Sequence, residues 1–428
     1  MCRRSISTAP STARRATPAP GPGSSARRNR VVETHGRASL QPTGPIHVKG
    51  RVPSMARPVS YAESLRPWYD PESGAKIVQL TSAACISTHI YPEAPIFSPD
   101  SRYFIFNRFA SLDRPNQFWL GDTESLQLIR LTSGEMPVTA PVMAPDGGWL
   151  CYLSVQAPTD WTLERVDLST FEREPVLQIR GYRRPYPLAT ISPDGRWYVT
   201  GVWLPEGDFG LLRVDLLLRE AQIIHRDPEI LNPHMQFDPG GGRDLLVQHN
   251  RGGQLDEAGN IVRLVGPEGA TFYLVDMDGQ NVRRLAIGKP YSAPVQGHQC
   301  WIGTTGRILS TLSGEIEAGN LVTIGEGDEA PTVVARGMDF CHPAASRDGR
   351  WFVSDVRPEG EIVVGSLETG RYRLLCRSGA SFGRPQYTHP HPFFSPDRRR
   401  VFFNSDRTGL AQIYMAEIPE SLWDELQG

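Results

Sequence analysis

His389 and His391 stand two residues apart near the C-terminal end of the sequence, and Gln386 precedes His389 by three residues. Side chains alternate in direction along an extended strand, so both imidazoles are expected to face the same way. Two imidazole nitrogens and the carbonyl oxygen of Gln386 can bind one divalent cation, or the imidazoles can bind one anionic ligand. These residues therefore predict a binding site at this point of the chain.

The candidate site leads directly into a sequence repeat. Seven segments share apolar residues, a turn related to Ser-Pro-Asp-Gly and a strand rich in aromatic and β-branched residues, and the fourth and fifth segments match least well. The residues that follow the turn aspartate, or its equivalent, are Ser101, Gly147, Gly195, Gly242, Gly306, Gly349 and Arg398. These positions are 43 to 64 residues apart, and repeats of about 45 residues are typical of β-propellers.

The repeats predict an all-β protein, a seven-bladed β-propeller that spans residues 59–428. The recurring Asp-Gly pair supports this, because glycine supplies the positive φ that tight hairpins need. The early strand Lys76–Thr81 is expected to close the ring against the last blade.

Histidines occur at nearly the same position in four consecutive repeats. They lie seven to nine residues ahead of the aligned positions, where the innermost strand of a blade is expected to begin: His234, His298, His342, His389 and His391. A single histidine at such a position is most simply a structural residue. The set favours a functional site, because a propeller gathers its innermost strands around the mouth of a central channel.

A cluster of imidazoles and one carboxamide limits the chemistry. On affinity alone, neutral nitrogen ligands favour Zn, Ni or Cu over Mn. A cation held without protein carboxylates keeps its positive charge, so its substrate is expected to carry a carboxylate. His298 is expected to stay outside the ligand set and to act as a general base near neutral pH.

The composition of the chain limits which binding partners and which cellular compartment are expected. A net charge of −2 gives no reason to expect nucleic acid or an anionic membrane as a partner. No apolar run approaches the roughly 20 residues that span a bilayer. The six cysteines are scattered without Cys-x-x-Cys spacing, which is typical of free thiols in a reducing compartment. A cytoplasmic protein is therefore predicted, and the oligomeric state is left open.

The N-terminal segment, residues 1–58, differs from the rest of the chain. It is rich in Ser, Ala, Pro and Arg, and Glu33 is its first acidic residue. Such a composition predicts disorder, because too little apolar surface can be buried to offset chain entropy. The alternative is a wrongly assigned start, with Met55 as the true initiator.

The longest step between repeats separates Gly242 from Gly306. Its additional residues, 250–269, are polar and rich in glycine, and they predict an insertion on one face of the propeller. Long loops on a rigid scaffold commonly carry binding groups.

Three segments of the sequence, taken together, resemble the oligogalacturonate lyase family, and the resemblance extends from about residue 68 to the C-terminus. They are Gln386-x-x-His389-x-His391-Pro-x-Phe-Ser-Pro-Asp, Gly297-His298-Gln-x-Trp301 and Phe340-Cys-His342. The resemblance implies a seven-bladed propeller that binds Mn²⁺ through one glutamine and three histidines and cleaves short pectin oligomers by β-elimination. Position by position, it implies that His342, Gln386, His389 and His391 are the metal ligands and that His298 is the general base.

The sequence departs from the family where the substrate is expected to bind. The family's Cys-His-Glu-Gly-Pro-Trp stretch corresponds to residues 248–253 here, and its substrate-binding arginine falls near Ala270. The substrate contacts are therefore predicted to come from His234, His249 and Arg251, with Arg263 of the insertion as the alternative to Arg251. The expected substrate is a small uronate oligosaccharide. The rival interpretation is a non-catalytic, TolB-like propeller that binds a protein segment or a carboxylated ligand, because such propellers share the Ser-Pro-Asp-Gly repeats.

Overall fold

A computed structural model describes residues 58–111, 114–256, 260–314 and 316–427. The predictions of disorder and of an alternative start at Met55 fall on residues that lie outside these ranges.

Seven twisted antiparallel sheets follow one another along the chain as the blades of a propeller. The described N-terminal part forms three short strands, β1 (Ser60–Ala62), β2 (Trp68–Tyr69) and β3 (Lys76–Gln79). The first blade continues with β4 (Ile86–His89), β5 (Tyr103–Phe109), β6 (Gln117–Asp122) and β7 (Gln127–Arg130). The second contains β8 (Val138–Met143), β9 (Trp149–Ala157), β10 (Asp160–Asp167) and β11 (Arg173–Arg180). The third contains β12 (Arg184–Ile191), β13 (Trp197–Trp203), β14 (Phe209–Asp215) and β15 (Glu220–Asp227).

The fourth blade carries the predicted insertion. Its strands, with those of the insertion between them, are β16 (Gln236–Phe237), β17 (Asp244–His249), β18 (Gln254–Leu255), β19 (Ile261–Arg263), β20 (Thr271–Asp276) and β21 (Arg283–Arg284). Strands β18 and β19 pair only with each other, as a hairpin outside the blade. The fifth blade contains β22 (Val295–Trp301), β23 (Arg307–Leu312), β24 (Leu321–Gly325) and β25 (Thr332–Ala335).

The sixth blade contains β26 (Asp339–Phe340), β27 (Ala344–Ala345), β28 (Trp351–Arg357), β29 (Glu361–Ser366) and β30 (Tyr372–Arg377). A 3₁₀ turn (Gln386–Thr388) leads to the seventh blade, with β31 (Phe393–Phe394), β32 (Arg400–Ser405) and β33 (Gln412–Glu417), and helix α1 (Glu420–Gln427) follows. Strand β3 pairs with β33 in antiparallel register. The predicted closure of the ring by an N-terminal strand is therefore confirmed.

The repeated turn has a common local chemistry. The serine hydroxyl donates to the turn aspartate, as from Ser346 to Asp348 and from Ser395 to Asp397. Gly195 and Gly349 then take φ values of 75° and 70°, in the left-handed region that favours glycine. The sequence repeat is thus a hairpin that fixes where each innermost strand ends.

The innermost strands surround a central channel. A cavity of about 510 Å³ runs along it and is lined by residues of all seven blades, among them Ile96, Met143, Thr190, Gln236, Trp301, Ala344 and Phe393. Among the described residues, no helix is long and apolar enough to cross a membrane.

Candidate metal and catalytic site

The five histidines that occupy equivalent positions in the sequence repeats lie together at one end of the channel. The His342 ring lies 3.9 Å from the His391 ring, 4.6 Å from the His298 ring and 5.5 Å from the His389 ring, measured between centroids. The His234 ring lies 5.4 Å from the His298 ring. Blades four to seven therefore contribute to one histidine cluster, defined here as His234, His298, His342, His389 and His391.

The innermost strands are interrupted at the level of the cluster. The pairing of β22 with β23 shifts register around His298, and His342 lies in the gap between β26 and β27. His234, His298 and His391 have φ values of 40°, 58° and 44°, which is uncommon for residues other than glycine. Such irregularities redirect side chains and recur beside functional sites. Here they accompany side chains that meet at the channel mouth.

The expectation that His389 and His391 lie on one strand is wrong. Strand β31 begins only at Phe393, and both histidines precede it. Pro390 and Pro392 carry no backbone N–H, so this stretch cannot form a regular ladder. The two rings are nevertheless nearly parallel, with 5.6 Å between centroids.

The predicted metal ligands differ in how closely they approach one another. His342 and His391 form a group with His298 in which the potential ligand atoms all lie within 4.8 Å of one another. His389 lies beside this group, and its Nε2 is 3.0 Å from the carbonyl oxygen of Gly383. Gln386 lies in the 3₁₀ turn, where its Oε1 accepts a hydrogen bond from the Tyr91 hydroxyl.

His342 is held by a buried carboxylate. Its Nδ1 lies 2.7 Å from Oδ2 of Asp355, and its backbone N–H donates to Oδ1 of the same residue at 2.8 Å. Burial opposes protonation of His342, but the charge of Asp355 outweighs it and raises the pKa of His342 to about 10. A carboxylate on one ring nitrogen orients the ring and leaves the other nitrogen to bind a cation. In His342 that nitrogen, Nε2, lies 3.5 Å from Sγ of Cys341. Sequence reasoning missed Asp355, whose only signal is a charge in the middle of an apolar strand.

Three rings of the cluster, those of His298, His389 and His391, have pKa values lowered by burial and are uncharged at neutral pH. Burial, reinforced by the neighbouring His342, lowers the pKa of His298 and of His391 well below the usual value. His298 Nδ1, His389 Nδ1 and His391 Nε2 are buried without a hydrogen-bond partner among the described residues. Buried polar atoms are normally paired. Neutral imidazoles with unpaired nitrogens therefore fit a divalent cation.

Blade one completes the site with two residues that sequence reasoning missed. Glu93, with a side chain only 3% exposed, accepts a hydrogen bond from His234 Nδ1 at 2.5 Å. Glu93, His234 and His298 form a second group whose potential ligand atoms lie within 4.8 Å. The ring of Tyr91 stacks on His298, with 5.2 Å between centroids and 11° between planes. A signal for Glu93 existed, since it lies eight residues ahead of Ser101, the position that His234 and His298 occupy in their repeats.

His249 and Arg251, the substrate contacts predicted at the insertion, lie in a network of hydrogen bonds and ion pairs that is separate from the histidine cluster. His249 ends β17, and its Nε2 is 3.1 Å from Oε2 of Glu229 and 3.5 Å from Oδ2 of Asp227. The three guanidinium nitrogens of Arg251 donate to backbone carbonyls at 2.7–2.9 Å. Substrate binding by His249 and Arg251 stays a prediction.

Comparison with known proteins supports the family suggested by the sequence. The chain is 24% identical to the oligogalacturonate lyase of Dickeya dadantii (strain 3937) over 411 residues, which covers 86% of this chain and the whole of that protein. It is 25% identical to the oligogalacturonide lyase of Pectobacterium atrosepticum, over 83% of this chain and 97% of that protein. The chain is thus similar to oligogalacturonate lyases over nearly the whole length of those proteins.

The fold of this chain also agrees with its similarity to oligogalacturonate lyases. A solved oligogalacturonate lyase in complex with manganese superposes with a TM-score of 0.70, at 21% identity, over 86% of this chain and the whole of that chain. The prediction of a seven-bladed β-propeller is thereby confirmed. No family model matches the sequence.

Proposed function

We propose that this protein is a cation-dependent lyase that cleaves uronate-containing oligosaccharides by β-elimination. The observation that carries the proposal is the histidine cluster, in which His298, His389 and His391 surround His342 and each keep a buried ring nitrogen without a hydrogen-bond partner among the described residues. The relatives named as oligogalacturonate lyases support the reaction type.

The cation would be held by His342, His389, His391 and Gln386. Mn²⁺ is the ion proposed, because the similar solved structure is a manganese complex. When bound, the cation supplies positive charge that neutralises the uronate carboxylate and makes the adjacent C5 proton more acidic. Asp355 supports this role, since it holds Nδ1 of His342 and leaves Nε2 as the ligand atom.

His298 is proposed as the general base. Its lowered pKa leaves the ring neutral at physiological pH, and its buried Nδ1 has no hydrogen-bond partner among the described residues. A neutral imidazole can take the C5 proton, and the electron pair then forms the C4=C5 double bond while the C4–O bond breaks. The products would be a 4,5-unsaturated uronide and a shortened sugar.

His234 is proposed to contact the substrate, because it lines the cluster beside His298. Substrate contact by His249 and Arg251, predicted from the sequence, is the alternative to the structural role that their pairing in blade four supports. The substrate would be a small uronate oligosaccharide from pectin degradation in the cytoplasm. Five described cysteines are free thiols, which supports a reducing compartment.

The test combines metal analysis with an assay of the product. Purified protein is stripped with a chelator, reloaded with Mn²⁺ and incubated with short galacturonate and other uronate oligomers, while the ultraviolet absorbance of the unsaturated product is followed. One bound ion per chain and a metal-dependent rise in absorbance are expected. Failure to retain any ion contradicts the site. Retention of the ion without product from any uronate contradicts the lyase assignment and favours a binding propeller.

A further inference from the structure

The proposed β-elimination needs a proton for its leaving group as well as a base for the C5 proton. The leaving oxygen becomes the anomeric hydroxyl of the neighbouring sugar, and an alkoxide is a poor leaving group unless it is protonated as the C4–O bond breaks. The residues assigned so far include a base and cation ligands, but no acid. A general acid for this step requires an O–H or N–H group near His298.

Tyr91 presents such a group between the proposed base and the proposed cation ligands. Its ring stacks on His298 at 5.2 Å and lies 4.8 Å from the ring of His391. Its hydroxyl reaches Gln386, whose Oε1 accepts its proton in a hydrogen bond. Tyr91 therefore contacts both the proposed base, His298, and two proposed cation ligands, His391 and Gln386.

We propose that Tyr91 is the general acid that protonates the leaving oxygen, an inference that rests on the proposed lyase function. A tyrosine hydroxyl can turn its proton to a new acceptor by rotation about the Cζ–O bond, without movement of the ring. His298 takes the proton from C5, the C5–H electron pair becomes the C4=C5 double bond, and the C4–O bonding pair leaves with the oxygen. That oxygen takes the Tyr91 proton, and the phenolate regains a proton from solvent while the His298 imidazolium loses one, so no net charge or proton is left over.

His234 is a second donor beside His298 that is not a proposed cation ligand, and the structure favours Tyr91 over it. Nδ1 of His234 is committed to Glu93 at 2.5 Å. The His234 ring contacts the rings of Tyr91 and Tyr186, with 5.7 and 6.0 Å between centroids. Tyr91 is the donor that contacts both the base and a proposed ligand.

The first test is Tyr91→Phe, which removes the hydroxyl and keeps the stacked ring. The kcat for a galacturonate oligomer is expected to fall by about 10²–10⁴-fold, with the bound Mn²⁺ content unchanged. Tyr186→Phe is the matched control, because Tyr186 is a buried neighbour that donates to Asn232 at 2.7 Å, away from the proposed ligands. Its kcat is expected to change by less than about threefold, and thermal unfolding checks that both variants fold.

The second test varies the leaving group. A uronide that carries 4-nitrophenoxide at C4 needs no proton to expel its leaving group, so Tyr91→Phe should cleave it within about threefold of the wild-type rate. His298→Ala should lose activity on both substrates, because each still requires removal of the C5 proton.

These outcomes separate the acid from other roles and from the proposed function itself. Loss of Mn²⁺ in Tyr91→Phe would show that the hydroxyl positions Gln386, and an unchanged kcat on the oligomer would remove it from the reaction. An equal loss on both substrates would also overturn the acid role. A wild-type protein that forms no unsaturated product from either substrate would overturn the proposed lyase function, and the role of Tyr91 with it.

Discussion

The histidine cluster and the insertion of blade four (residues 250–269) both carry titratable or charged side chains near the blade ends, but they differ in how those groups are paired. In the insertion, Arg251 gives all three guanidinium nitrogens to backbone carbonyls. Directly before the insertion, His249 pairs with Glu229 and Asp227. In the cluster, three imidazole nitrogens are buried without a partner among the described residues.

This difference separates groups that stabilise the fold from groups that await a ligand. His89 shows what a structural histidine looks like in the same protein, since both of its ring nitrogens lie within 3.0 Å of backbone carbonyl oxygens. Asn250 is an exception in the insertion, because both side-chain amide atoms are buried and unpaired. The two regions nevertheless differ: His249 and Arg251 are paired within blade four, whereas His298, His389 and His391 each keep one buried ring nitrogen without a partner among the described residues.

The largest expected effect comes from His298→Ala. Removal of the proposed base should lower kcat by about 10²–10⁴-fold, while the Mn²⁺ content stays at the wild-type level. Steady-state kinetics and metal analysis measure the two properties separately. His225→Asn, on β15 and outside the cluster, is the control and should keep its activity. Wild-type turnover in His298→Ala would remove this residue from the reaction.

Asp355→Asn tests whether the buried carboxylate supports a cation ligand. The amide keeps the shape but loses the charge that orients His342, so the affinity for Mn²⁺ is expected to fall by about 10–100-fold. Titration of the metal-stripped protein gives the apparent Kd. An unchanged Kd would mean that Asp355 acts only in the fold.

Arg251→Lys tests the other side of the comparison. A lysine cannot replace three directed hydrogen bonds, so the free energy of unfolding is expected to fall by about 1–3 kcal/mol, with kcat and KM within about threefold of wild type. Denaturant unfolding and steady-state kinetics measure the change. A rise in KM of more than about tenfold, with unchanged stability, would support instead the substrate contact predicted from the sequence.

The smallest expected effect is a pH dependence of the free energy of unfolding that arises from Asp227, close to where the insertion begins. Burial opposes ionisation of Asp227, but the hydrogen bonds from His249 and from the backbone of Glu229 lower its pKa below the usual value. A lowered pKa in the folded state stabilises the protein above the unfolded value and loses that contribution as pH falls through the folded value. The free energy of unfolding should therefore decrease below about pH 4, and less steeply in Asp227→Asn. Equal slopes for the two proteins would contradict this pairing.

The sequence predicted the ring of blades and the convergence of the histidines, because closure of a propeller turns equal positions in a repeat into neighbours in space. It missed Glu93, at the same position in blade one, because only histidines were compared across the repeats. Asp355 and Tyr91 were missed since their partners lie on another strand or another blade, which no local pattern records. His389 and His391 were placed on a strand because alternation was considered without the two prolines that interrupt it.

The central claim is that the histidine cluster binds a cation on which cleavage of a uronate oligomer depends. The most direct measurement follows the ultraviolet absorbance of the unsaturated product as digalacturonate is added to chelator-treated protein, before and after addition of Mn²⁺. We predict no product from the stripped protein, recovery on addition of Mn²⁺, and no recovery in a variant with both His342→Ala and His391→Ala. Product formed at the same rate with and without the cation would contradict the account.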